Sequence, residues 1–127
     1  KGLGHTAAEV EERLPAFTER VEKMRFSACG VEGFEKALKR ARCTSWVVCG
    51  IETHVCVNQT VHDLLEHGYE VHVADDAVSS RAASNRRIAM DTMRAAGARA
   101  TSAEMALFEM LERAGGDEFK AISKLVR

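Results

Sequence analysis

Apolar positions along the chain switch repeatedly between helical and strand spacing, and each switch marks an element. The segment HTAAEVEERL carries Thr6 with Glu9 three residues later, a capping-box pattern that predicts a short helix ending before Pro15. From Phe17 to Phe26 the apolar residues Phe17, Val21, Met24 and Phe26 keep no fixed period, and a short strand ending near Lys23 is predicted. Val31, Phe34, Ala37, Leu38 and Ala41 recur at helical spacing with Glu35, Lys36, Lys39 and Arg40 between them, which describes an amphipathic helix lying on a core. SWVVCG is a short apolar run closed by Gly50, and it predicts a strand buried on both faces in a parallel sheet. Val55, Cys56, Val57, Val61, Leu64 and Leu65 then share one broad helical face that ends at Gly68.

EVHVADD predicts another strand, Ser84 to Ala96 a helix starting near a Ser cap and ending at Gly97, and ARAT a brief strand. Thr101 and Glu104 form a second capping box ahead of MALFEMLERA, and FKAISKLVR forms a final helix after a GlyGlyAsp turn. This alternation of strands and helices is that of an α/β fold with a mainly parallel sheet. No internal repeat or linker interrupts it, so residues 1–127 read as one domain. In such folds ligands sit beyond the carboxyl ends of the strands, where loops enter helix N-termini.

Composition narrows the function classes. Hydrophobic residues make up 46% and charged residues 29%, with a single Pro, so disordered, collagen-like and low-complexity classes are excluded. The 18 Lys+Arg against 19 Asp+Glu give a formal charge of -1, which offers no field for a nucleic acid or an anionic membrane, and neither is expected as a partner. Trp46 to Val48 and Met105 to Phe108 are far too short to span a bilayer, and KGLGHTAAEV has no signal-peptide core, so a cytoplasmic protein is expected. The cysteines at 29, 43, 49 and 56 form no Cys-x-x-Cys pair and have no His at zinc-finger spacing. Free thiols and no metal are therefore expected, with Cys29, Cys43 and Cys49 acting as small buried hydrophobes.

Cys56 differs. It follows the loop GIETHVC and falls in the first turn of the next helix, where unpaired amides and the helix dipole stabilise a thiolate. A cysteine on an apolar helix face also serves plain packing, and position alone leaves both readings open.

The run CGIETHVCVNQTVHDLLEHGYEVHVADDAVSSR, followed by NRRIAMDTMRAAGARATSAEMALFEML, resembles the isochorismatase-like cysteine hydrolases, a family that includes nicotinamidases and carbamoyl amidohydrolases. Gly50, Thr53, Cys56, Val57, Thr60, Asp63, Leu64 and Gly68 fall in its nucleophile-loop pattern. Asp76, Ala77, Ser79 and Ser80 match the next strand end, Ser102 to Phe108 match a late capping motif, and KGLGHT and EKMRFSA extend the likeness upstream.

The resemblance implies a Rossmann-like three-layer α/β/α fold and a catalytic set of Cys, Lys and Asp. Cys56 matches the nucleophile, and Lys23, 33 positions earlier, matches the lysine that precedes a Ser-Ala pair, here Ser27 and Ala28. An ammonium near a thiolate stabilises it and polarises a tetrahedral intermediate; without the resemblance Lys23 reads as a solvated surface residue. The family's cis peptide maps onto Ile51-Glu52, and its oxyanion hole onto the amides of Glu52 and Cys56. Thr53 and His54 are candidate substrate contacts, and Asn58, Gln59 and Thr60 either line the pocket or pack the helix start. His62, His67 and His72 read as surface residues.

The family's Asp ends a first strand that has no match here, so the resemblance implies an Asp upstream of Lys1 and an N-terminally incomplete domain. Asp75 and Asp76 map onto a later strand, where Asp76 orders the loop. The Asp-x-His metal element of nicotinamidases has no match, and no cofactor is implied. The expected activity is hydrolysis of a small molecule at an amide or carbamoyl C–N bond or a vinyl ether, in a homo-oligomer, dimer or tetramer. The alternatives are a catalytically inactive homologue acting as an oligomeric binding or scaffold protein, and a redox-sensing Cys56.

Overall fold

In the computed structural model, which describes residues 4–126, the predicted alternation is present. Helix α1 (Ala8–Glu11) and helix α2 (Glu32–Ala41) precede strand β1 (Ser45–Ile51), and a π-helical turn (Thr53–Val57) runs directly into α3 (Asn58–Glu66). Strand β2 (Glu70–Ser79), helix α4 (Ala83–Ala95), strand β3 (Arg99–Thr101), and helices α5 (Ala103–Leu111) and α6 (Gly116–Leu125) complete the order. The strands pair in the order β1-β2-β3, both pairs parallel. Right-handed crossovers that step in one direction across a sheet lie on the same face. That is why α3 and α4 touch each other as well as β2. With α5 returning against β2, the sheet and helices form the three-layer α/β/α class.

The core lies where these helices meet β2. Val57, Val61 and Leu64 come from the turn and α3, Val71, Val73 and Val78 from β2, and Ala89, Met90 and Met93 from α4. Leu38 of α2 and Cys29 join them, with Phe34 packed alongside. Trp46 and Tyr69 meet edge to face with centroids 6.1 Å apart, a favourable arrangement of their ring quadrupoles.

Several expectations are corrected. No strand ends near Lys23: residues 12–31 are irregular, with Phe17, Met24 and Phe26 exposed. The Lys23 ammonium folds this segment into a turn by donating to the carbonyls of Arg25 and Phe26, at 2.9 and 2.7 Å. Strand β1 is not buried on both faces. Trp46, Val48 and Gly50 are half-buried, whereas Val47, Cys49 and Ile51 are exposed, because β1 pairs only with β2 among the described residues.

The caps shift too. Thr6 caps nothing, since the residue before α1 is Ala7 and has no side-chain bond. Extended Ala82, not a serine, precedes α4. At α5 the cap is Ser102, whose Oγ accepts from Met105 N at 3.1 Å, while Thr101 remains in β3.

Strand β2 advances five residues, Val73 to Val78, where β1 advances two, Val48 to Gly50. Gly50 sits at φ +116, where side chains are strained. Such a bulge leaves carbonyls outside the ladder, and Arg86 of α4 collects them. Its guanidinium donates to Asp75 O and to Val78 O (3.1 Å) and meets Asp75 Oδ1 at 3.0 Å. Arg86→Ala should therefore destabilise the fold by about 2 kcal/mol, the scale for charge-assisted bonds lost from half-buried partners. Chemical denaturation monitored by circular dichroism measures this, and an unchanged midpoint would show the bulge to hold without it.

Candidate functional site

The candidate site forms where β1 passes into α3. The Ile51–Glu52 peptide bond is cis. The Glu52 carbonyl accepts from Val55 N and Val57 N at 3.1 and 3.2 Å, closing the turn that carries half-buried Cys56. Thr53 is fully buried and its Oγ1 has no hydrogen-bond partner among the described residues.

One helical turn on, the Thr60 hydroxyl donates to Cys56 O (2.7 Å) and accepts from Ala28 N (3.0 Å). Next along the same helix, Asp63 accepts from Ser27 Oγ at 2.6 Å, and Ser27 Oγ accepts from Cys29 N at 3.1 Å. The segment that carries Lys23 is thus strapped to the helix that carries Cys56. Lys23 spends two of its three N–H donors on the Arg25 and Phe26 carbonyls. Among the described residues no hydrogen bond joins Lys23 to Cys56.

Glu52 is gripped from the other side. Arg81 Nε and Nη2 donate to its two oxygens at 3.0 and 2.9 Å, and Arg81 N donates to Oε1 at 3.1 Å. These bonds from the Arg81 side chain and amide hold the Glu52 carboxyl at about 2, down from 4.5. A carboxyl depressed in the folded state stabilises fully above its unfolded value and loses that contribution as pH falls through the folded one. Acidification from pH 4.5 to 2 should therefore weaken the fold, and Arg81→Ala, which removes the guanidinium but keeps the amide bond, should shrink that dependence and move Glu52 back towards the ordinary range. Carbon-detected NMR titration of the Glu52 carboxyl reads both.

His54 Nδ1 lies 3.0 Å from Ser80 Oγ, and Nε2 lies 3.9 Å from Glu52 Oε2. With Asn58, His54 lines one wall of an open depression of about 210 Å³ whose other wall is Asn85, Ile88, Ala89 and Thr92 of α4. Asn58 therefore lines a pocket, Thr60 packs and bonds the helix start, and Gln59 is exposed. Asp76 does order a loop: its carboxylate accepts from Ala103 N at the start of α5 (2.9 and 3.1 Å). His62 and His72 are half-buried, and His67 is exposed.

Of the other cysteines, only Cys29 is the buried hydrophobe expected; Cys43 and Cys49 are exposed, since one lies in the loop after α2 and the other points off the uncovered side of β1. Burial first, and the charge of Asp63 next, push the Cys29 thiol up to about 11. Its sulfur, a Glu35 oxygen and a His67 nitrogen lie within 4.8 Å of one another. Sequence reasoning missed Arg81, Arg86 and this cluster, whose members are remote in the chain and carry no spacing signal.

Comparison with known proteins gives the setting. A sequence profile described as the isochorismatase domain matches residues 2–105. The chain is 44% identical over 129 residues to the secreted isochorismatase effector Isc1 of Phytophthora sojae, an alignment covering 98% of this chain and 61% of that protein. It is 38% identical over 130 residues to isochorismatase family protein 1B of Dictyostelium discoideum, covering 100% of this chain and 63% of that one. Among solved structures, one titled MAR1 ribonuclease from Caenorhabditis elegans superposes with a TM-score of 0.91 at 40% identity, over 98% of this chain and 64% of its own. The chain spans less than two thirds of the length of each of these proteins. With a profile match over most of its length and such identities, the chain belongs to the isochorismatase domain family.

Proposed function

We propose that this chain carries the nucleophile and ammonium of a hydrolase acting on a small amide, carbamoyl compound or vinyl ether. For a C–N substrate, the Cys56 thiolate attacks the carbonyl carbon, and the amides of Glu52 and Cys56 receive the oxyanion. The C–N bond breaks, the amine leaves with a proton, and water cleaves the resulting thioester to regenerate the thiol. Lys23 stabilises the developing negative charge, and Thr53 and His54 border the substrate. The family resemblance assigns the base to an Asp expected upstream of Lys1. Asp75 is committed to Arg86 and Asp76 to the α5 amide.

The observation that carries this reading is the strap. Thr60 and Asp63 hold the Lys23 segment against the helix whose first turn presents Cys56. The nematode protein of similar structure is named a ribonuclease. An RNA backbone is gripped most readily by a net cationic protein, and 18 Lys+Arg against 19 Asp+Glu give this chain a formal charge of -1, which favours a small substrate.

Limited iodoacetamide labelling with peptide mass spectrometry tests the nucleophile. By access alone the exposed Cys43 and Cys49 should react first; half-buried Cys56 leading them is the expected result. Cys56 trailing both would overturn the assignment.

A further inference from the structure

We infer that Cys29, Glu35 and His67 form a binding site for one thiophilic divalent cation, zinc being the chemical type. The three come from separate elements: Cys29 from the strap, Glu35 from α2 and His67 from the end of α3. Their ligand atoms all lie within 4.8 Å of one another. Zinc bonds of about 2.0–2.3 Å set tetrahedral ligands roughly 3.3–3.8 Å apart, so closure asks for about 1 Å at the widest pair.

Two ligands are already aimed by neighbours. Gly30 N donates to Glu35 Oε1 at 2.9 Å, which orients the carboxylate, and Cys29 N is held by Ser27 Oγ at 3.1 Å. Backing bonds of this kind are what fix the ligands of a metal centre. The His67 ring is exposed at the end of α3 and supplies the remaining movement.

The donor set selects the cation. Magnesium and calcium take oxygen ligands alone, whereas a thiolate with an imidazole and one carboxylate suits zinc or cobalt. Burial falls from Cys29 through Glu35 to His67, giving the ion a path in and leaving its fourth position to water. On binding, the sulfur–metal bond forms as the sulfur–hydrogen bond breaks, and the proton passes to solvent. The ion would staple the strap to α2 and α3, away from the turn that carries Cys56.

Cobalt(II) added to chelator-stripped protein supplies an optical probe in a Cys43→Ser, Cys49→Ser background, which removes the exposed thiols. The expected result is one equivalent bound with a thiolate-to-cobalt absorption band, bleached by one equivalent of zinc. His67→Ala and Glu35→Gln should each weaken binding at least about tenfold, since even outer-shell losses reach that size. Both lie outside the core, so their apo forms should melt as the parent does, which separates ligand loss from misfolding even if Cys29→Ser fails to fold. No thiolate band at one equivalent, a band undiminished by both substitutions, or a band abolished by Cys56→Ser alone would each overturn the site.

Discussion

Exchanging Cys56 for alanine should lower kcat by about three orders of magnitude or more, the scale seen when a covalent nucleophile is removed. The chemistry then has only the oxyanion donors and binding to draw on, which sustain a small residual rate. Hydrolysis of a panel of small amides, carbamoyl compounds and vinyl ethers supplies the assay, and intact-mass spectrometry of the parent after a quenched turnover should show an acyl adduct that the variant lacks. Folding should be unaffected, because Cys56 is only half-buried and its backbone, not its sulfur, makes the bond to Thr60. Parent-like turnover in Cys56→Ala would end the nucleophile reading and leave the binding-protein alternative standing. Lys23→Met should give a smaller loss, since charge stabilisation is removed while the nucleophile remains.

The largest expected loss of stability is at Leu64. It is 1% exposed and sits among Val61, Val71, Val73 and Met93 at the centre of the core. Leu64→Ala removes three carbons from a close-packed site, at a cost of about 3–4 kcal/mol once the cavity is included. Small domains hold roughly 5–15 kcal/mol in total, so this is a large share. Met24, 99% exposed, is the matched control: Met24→Ala should change stability by less than about 0.5 kcal/mol. Urea denaturation of the pair measures both, and a Leu64→Ala cost below that of Arg86→Ala would mean that α3 is not seated as described.

Helix α3 also shows what a sequence can and cannot disclose. Its apolar face, Val57, Val61 and Leu64, follows from 3.6-residue spacing and does enter the core. Flanking that face are Thr60 and Asp63, whose partners Ala28 and Ser27 lie 32 and 36 residues away. No periodicity encodes such a pairing; only the family resemblance brought Ser27, Ala28 and Lys23 to notice. The placement of Cys56 just past the end of β1 was legible, because strand, loop and helix signals follow in order. The strand near Lys23 failed because irregularly spaced apolar residues carry no period to trust, and an ammonium bonding nearby carbonyls is a local alternative to a ladder. The caps slipped by a residue or more for a related reason: Ser and Thr near a helix start each offer an acceptor, and the backbone path decides which is used. Arg81 and Arg86 carry no signal in the sequence, and only the fold brings Glu52 and the β2 bulge to them.

The bulge in β2 also removes a freedom that regular parallel strands keep. Two strands of strict two-residue period can slip past each other by two residues and still present the same faces to the core. A pair in which one partner spends five residues against the other's two has no such translation. Any slip would draw Val78 off its partner Gly50 and set regular strand against the bulge. β1 therefore has a single alignment on β2, and the turn that follows β1 inherits it. The distance along the sheet from Cys56 to the start of α5, which Asp76 anchors, is set by a notch between two strands rather than by the loops themselves.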